Sequence, residues 1–259
     1  MSLIHADLTD HVGTIVMQNK SKLNALSEDM IDEIIAAAED FRRNDCRVLV
    51  LRADPGVKIW SAGHDVHELP TDRRDPLGWS DPLRKLIRMI EEFPTPVIAQ
   101  IEGGVWGGAC EVALVCDLVV ATPNATFAVT PAKLGVPYNV TGVLTFMNAV
   151  DSVLLKEMVF TAQPIDAKKA ERHGIINYIV APEEIDAFTG RVCTQIKKNA
   201  PLSISVIKEQ IRILSSAASI TPRMFERVQG LRRVVYDSED YKEGINAFLE
   251  KRAPNFTGK

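Results

Sequence analysis

Two glycine-bearing turns carry the residue types best suited to chemistry in this chain. The first is Ser61-Ala62-Gly63-His64-Asp65-Val66-His67-Glu68, after the apolar run at 47–51 (RVLVL). The second is Glu102-Gly103-Gly104-Val105-Trp106-Gly107-Gly108-Ala109-Cys110-Glu111, after the run at 96–101 (PVIAQI). Each sits where a strand should pass into a helix. Backbone N–H groups at such a turn and at the first helical positions lack intrahelical acceptors and are free to face a ligand oxygen. A pair of these turns suits a reaction whose difficult species is an oxyanion, such as a thioester enolate, and one lost donor costs about 2.7–4 kcal/mol of transition-state stabilisation.

Competing chemistries fit less well. Gly103 and Gly108 have the outer spacing of a phosphate-binding loop, but Ala109-Cys110 follows where Lys and Ser/Thr would have to touch phosphate and magnesium. The same glycines also satisfy a purely structural reading, close backbone packing. His64 and His67 lie three apart with Glu68 outside the pair, which matches no helical zinc motif, so no metal is expected. There is no G-x-S-x-G elbow. The four cysteines, Cys46, Cys110, Cys116 and Cys193, include no C-x-x-C and no evident histidine partner, and read as reduced, mostly buried thiols.

The elements that must position these turns follow from periodicity. Runs at 11–17, 47–51, 96–101, 117–121, 126–129 and 175–180 are short and rich in β-branched residues, as strands are. Ser27 can cap a helix whose apolar face is Ile31, Ile34, Ile35, Ala38 and Phe41. Asp81-Pro82 can open a second, with Leu83, Leu86, Ile87, Ile90 and Phe93 on its buried face. From Thr141 onward the pattern is mostly helical, with Pro201, Thr221-Pro222 and Ser238 opening the last helices. The expectation is an α/β core followed by a helical layer.

Composition narrows the class. The 259 residues, 46 % apolar and 25 % charged, describe an ordinary globular chain of one to two domains. A formal charge of -4 offers no footprint for nucleic acid or an anionic membrane. The most apolar stretch, 105–121, is broken by Glu111 and Asp117, and residues 1–13 show no signal-peptide pattern, so a cytoplasmic enzyme or binding protein is expected.

Asn24-Ala25-Leu26, the two glycine turns, Cys116-Asp117, Leu134-Gly135 and Phe248-Leu249-Glu250-Lys251-Arg252 fall in the order and spacing of the enoyl-CoA hydratase/isomerase (crotonase) superfamily, which the chain resembles nearly end to end. The resemblance implies a spiral of ββα repeats over residues 1–195 and a helical oligomerisation region over 196–259. It also implies a homotrimer or dimer of trimers and an acyl-CoA thioester as substrate, with no cofactor beyond the CoA that the substrate carries. By analogy the N–H groups of His64 and Gly108 form an oxyanion hole. Ala62, Gly63, His64, Asp65 and Val66 line the CoA and acyl site, and Lys251 resembles a C-terminal lysine that reaches the nucleotide.

Hydratases of this family use two glutamates. The first matches Glu111; at the second, Phe127 leads instead to Thr130-Pro131. That loss suits a substrate carrying its own carboxylate, since two negative charges about 4 Å apart repel by roughly 4 kcal/mol at an effective dielectric of about 20. Thr130 and Tyr138 supply neutral donors in its place. With His64-Asp65, Trp106, Thr130-Pro131, residues 135–139 (GVPYN) and 235–241 (VYDSEDY), the chain resembles the branch of the family that decarboxylates methylmalonyl-CoA to propionyl-CoA. Tyr138 would orient the departing carboxylate. Glu111 could hydrogen-bond behind the site or stay protonated by burial, and water, Tyr138 or the His64 side chain could supply the proton. The rivals are a hydratase or isomerase using Glu111 alone, and a non-catalytic acyl-CoA- or RNA-binding relative.

Overall fold

The computed structural model describes residues 2–70, 74–215 and 222–258. The chain opens with an antiparallel hairpin, β1 (Ile4–Thr9) and β2 (Val12–Met17), followed by α1 (Glu28–Arg43). Ser27 caps α1 by accepting from Met30 N–H, and the helix buries Met30, Ile31, Ile34, Ala38 and Phe41. Then comes a repeat of strand, strand, helix. β3 (Val48–Ala53) and β4 (Ile59–Ser61) lead to α2 (Pro82–Glu92); β5 (Val97–Ile101) and β6 (Gly104–Trp106) lead to α3 (Gly108–Val115). A third pair, β7 (Leu118–Ala121) and β8 (Thr126–Ala128), leads to a short 3-10 turn at Pro131–Leu134.

In each repeat the first strand joins one sheet and the second joins another. Two helices follow, α4 (Val140–Ala149) and α5 (Ser152–Thr161), then β9 (Ile165–Asp166), α6 (Ala167–Arg172) and β10 (Tyr178–Ile179). Among the described residues the large sheet has the order β1-β2-β3-β5-β7-β10, parallel apart from the first hairpin, and the small one β4-β6-β8-β9. Strands alternating between two sheets wind the chain into the spiral of ββα repeats that the family resemblance implies.

β3 and β5 are apolar along nearly their whole length because both of their faces are covered. Leu49 and Leu51 on β3, with Val97, Ala99 and Ile101 on β5, face the main core with α1 and α2. Val48, Val50 and Ile98 face the other way, onto Ile185, Val192 and Cys193 of α7 (Ile185–Lys197).

The last helices are α8 (Pro201–Ser215), α9 (Pro222–Tyr236) and α10 (Glu239–Leu249). The residue Thr221, expected with Pro222 to open a helix, lies outside the described residues; Ser238 caps α10 by accepting from Tyr241 N–H. Helix α8 buries none of its residues, and Lys208 ties it to the core through Asp117 Oδ2 at 2.7 Å. Helix α10 instead folds back onto the spiral. Gly244 lies so close to the 3-10 turn that a Cβ would stand 2.2 Å from Leu134 O, and Tyr241 and Ile245 pack with Leu69, Leu77 and Val136.

Several strands differ from their expected extents. The run at 175–180 pairs only at Tyr178–Ile179, because Ile175 and Ile176 turn into the core and Asn177 Oδ1 accepts from Val119 N–H. Strands β1, β4 and β6 had no recognisable sequence signal. Three-residue strands are too short to show a period, and β1 is an edge strand with mostly exposed side chains.

Candidate active site

The two glycine turns meet. Gly63 has φ of +86°, and a Cβ there would lie 2.4 Å from Trp106 O and 2.8 Å from Gly108 N, so only glycine permits the approach. Leu26 and His64 form an isolated parallel bridge: Leu26 N–H donates to Gly63 O at 2.8 Å and Asp65 N–H to Leu26 O at 3.4 Å. That pattern leaves the N–H of His64 itself unused. Gly108 is the first residue of α3, so its N–H has no intrahelical acceptor. Neither amide finds an acceptor among the described residues, and a Cβ on Gly108 would sit 3.6 Å from His64 N. Two unpaired amides side by side at a helix N-terminus can receive one developing negative oxygen.

They open on a cavity of about 850 Å³. Of the expected site residues, Ala62, His64, Asp65, Val66, Gly108, Thr130, Tyr138 and Lys251 line it. Gly63 and Glu111 do not; Gly63 lies beneath the turn and Glu111 behind Tyr138. Pro131 lines the wall beside Thr130, so the second hydratase glutamate has an apolar replacement facing the cavity. Trp106, Leu77 and Leu83 add apolar surface, and Phe248 stands with Lys251 at the C-terminal side.

The ionisable side chains around the hole are mutually paired. Asp65, 4 % exposed, accepts from Lys22 Nζ at 2.9 Å, His67 N–H at 3.1 Å and His67 Nδ1 at 2.8 Å. Burial works against its charge, but Lys22 and His67 outweigh it and hold the carboxyl down at about 2. The His64 ring places Nε2 3.0 Å from Asp81 Oδ2 and Nδ1 3.0 Å from Asp65 O. Burial disfavours a charged imidazole here, yet the hydrogen bond and charge of Asp81 lift it above its ordinary value. With acceptors at both nitrogens, the ring is satisfied only as the doubly protonated cation. Asp81 also caps α2 by accepting from Leu83 N–H at 2.9 Å, so it joins the first glycine turn to a helix.

Tyr138 is held by its neighbours. Asn139 caps α4, accepting from Gly142 N–H at 2.6 Å and donating to Leu77 O at 3.2 Å, and the Tyr138 ring meets Phe146 edge-on at 5.6 Å. Its hydroxyl is buried and faces the Glu111 carboxylate, near enough for that carboxylate to draw on it as a donor, but it meets no fully aligned hydrogen-bond partner among the described residues. Burial, then the nearby Glu111 charge, hold the phenol well above its ordinary value, so it stays a proton donor in hydrogen bonds. Glu111 is itself ion-paired with Arg84 of α2. Arg84 carried no signal in the sequence, where it is one of several charged residues of α2 and its partner is 27 residues away. Asp81 was legible only as a cap.

These features can be set beside known proteins. The enoyl-CoA hydratase/isomerase family model matches residues 7–259. The chain is 49 % identical over 247 residues to methylmalonyl-CoA decarboxylase of Escherichia coli (strain K12), covering 95 % of each. A probable enoyl-CoA hydratase of Mycobacterium leprae (strain TN) is 30 % identical, over 98 % of this chain and 97 % of its own. Among solved structures, methylmalonyl-CoA decarboxylase in complex with 2-nitronate-propionyl-CoA superposes with a TM-score of 0.97 at 47 % identity, covering 99 % of both chains. The same enzyme complexed with 2S-carboxypropyl-CoA also gives 0.97 at 47 % identity, covering 100 % of this chain and 99 % of its own. Family match, spiral topology and the paired glycine turns agree: the chain belongs to the enoyl-CoA hydratase/isomerase family.

Proposed function

We propose that the protein decarboxylates methylmalonyl-CoA to propionyl-CoA and CO₂ through a thioester enolate. The observation that carries this reading is a cavity pairing two unused backbone donors, His64 N–H and Gly108 N–H, with the Tyr138 hydroxyl, which has no fully aligned partner, while the carboxylates nearest these donors are each tied to a cation. Resemblance to a decarboxylase at 49 % identity supports it independently.

The thioester carbonyl accepts from His64 and Gly108. Tyr138, with Thr130, holds the substrate carboxylate out of the thioester plane, so the breaking C–C bond overlaps the carbonyl π system. As CO₂ departs, the bonding pair enters that system and negative charge grows on the oxygen facing the two amides, which therefore bind the transition state more strongly than the ground state. A proton then adds to the α carbon. Ala62 and Val66 line the acyl and CoA path, and Lys251 meets the nucleotide end. The chemistry requires no cofactor beyond the CoA carried by the substrate.

We also infer assembly through the C-terminal helices into a trimer or a dimer of trimers. Leu202, Ile211 and Leu214 of α8 and Leu231 and Val234 of α9 are between 60 and 81 % exposed, an apolar surface larger than scattered single residues supply.

The test offers malonyl-, methylmalonyl- and crotonyl-CoA to the purified protein and measures CO₂ and hydrated product. CO₂ release from methylmalonyl-CoA is expected. Rapid hydration of crotonyl-CoA with no CO₂ from either malonyl ester would overturn the reading in favour of a hydratase working through Glu111, and tight binding without turnover in favour of a non-catalytic acyl-CoA carrier.

A further inference from the structure

The pair of Arg84 and Glu111 lies behind the catalytic cavity and lines none of it. Arg84, on α2, is 5 % exposed and Glu111, on α3, 1 %. Between the pair and the substrate space stands Tyr138. The titratable groups facing Glu111 are Arg84 and Glu91 from α2 and Tyr138 from the segment before α4, with Cys110 of α3 close to the same phenol. Of these only Arg84 is a cation.

The consequences follow from the chemistry of the two groups. A guanidinium does not lose its proton in proteins, so Arg84 is a permanent charge. A carboxyl as deeply buried as Glu111 would, without it, be driven further towards its protonated form and become an acid–base group. Burial pushes the Glu111 carboxyl up, and Arg84 opposes that push without overcoming it, so the carboxyl stands above its ordinary value but lower than burial alone would set it. An ionised but unpaired Glu111 would instead repel a substrate carboxylate held by Tyr138 and weaken that hydroxyl as a donor to it.

We propose that Arg84 is a specificity-determining positioning residue: by cancelling the Glu111 charge it keeps the wall behind Tyr138 neutral, so that a carboxylate-bearing thioester is accepted and Glu111 is withheld from acid–base work. The inference rests on the decarboxylase reading and adds a determinant outside the cavity.

The experiment compares two ligands differing in one charge, a non-reactive carboxylated thioether of CoA and neutral propionyl-CoA. Their dissociation constants are measured by calorimetry with the full-length protein. Glu111→Gln leaves Arg84 uncompensated and should raise the preference for the carboxylated ligand about fivefold or more. Arg84→Met should lower it by a similar factor at pH 8, and the preference should return as the pH falls and Glu111 takes up a proton. A role in packing alone would shift both affinities together and leave their ratio flat.

An unchanged ratio in both variants, or a shift in the same direction in both, overturns the proposal. If Arg84→Met does not fold, Glu111→Gln decides alone, and an unchanged ratio there is enough to reject it. Failure of the decarboxylase reading would show separately, as absence of CO₂ release from methylmalonyl-CoA by the unaltered protein.

Discussion

His64 serves the site twice, once through its backbone N–H and once through its ring. The ring faces acceptors on both sides, Asp65 O and Asp81 Oδ2, each at 3.0 Å. Its pKa is raised in the folded protein, so the stabilisation it contributes is fully present below about 6.5 and is lost as pH rises through the folded value. Loss of the ring charge removes one of the two hydrogen bonds that hold the turn carrying the His64 amide. The rate of decarboxylation should therefore decline on the alkaline side. Asp81→Asn, which keeps the cap on Leu83 but removes the charge, should move that decline to lower pH and change kcat more than KM; a pH–rate profile identical to that of the unaltered protein would refute this. Tyr138→Phe should lower kcat by about tenfold to a hundredfold, the range for losing a hydrogen bond to a charged group, while affinity for propionyl-CoA stays within about twofold. Steady-state kinetics beside calorimetry separates the two effects. Residues of this kind were legible where they stand in local motifs, as His64, Gly108 and Glu111 do. Arg84 and the second bond of Asp81 were not, because their partners are 27 and 17 residues away and only the fold brings them together.

Among the elements, α1 and α2 were readable because capping and helical period agree. Ser27 and Asp81 accept from N–H groups of the first turn, and of the expected apolar positions, 31, 34, 38, 41 and 83, 86, 87, 90, 93 are buried while Ile35 is half-buried. The small sheet was not, since β4 and β6 are three residues each and are held by their parallel partners rather than by their own propensity. Yet that sheet carries the turns into position: β4 ends at Ser61 and β6 at Trp106, immediately before the two amides. Helix α4 has a comparable duty, because its cap sits beside Tyr138. Asn139→Ala removes the bond from Gly142 N–H and the bond to Leu77 O, and should destabilise the protein by about 1–2 kcal/mol. A lower thermal midpoint, with kcat reduced more than the affinity for propionyl-CoA, is expected. Equal loss of both would mean that the cap supports the cavity generally and does not aim Tyr138.

On the scale of the molecule, the chain carries a spiral that makes the site and a helical end that treats its two surfaces differently. Helices α8 and α9 turn apolar residues outward, whereas α10 is bound to the spiral by Tyr241 O–H donating to Pro70 O at 2.8 Å and by the packing of Ile245. Arg232 of α9 adds a pair with Asp75, Nη1 to Oδ2 at 2.7 Å. Replacing Leu231 and Val234 together by Glu should reduce the mass of the assembly in sedimentation without unfolding the spiral. An assembly of unchanged mass would exclude that face from the interface. The attachment of α10 also has a consequence for how the protein is made. The sheets can assemble as soon as β10 has left the ribosome, since domains generally fold from the N-terminal side during synthesis. Leu69, Leu77 and Val136, which line the cavity with Tyr138, must wait for Tyr241 and Ile245 of α10, which follow β10 in the chain, to be translated. A nascent chain that has not yet reached α10 is therefore expected to leave this apolar patch uncovered, where chaperones and proteases can read it.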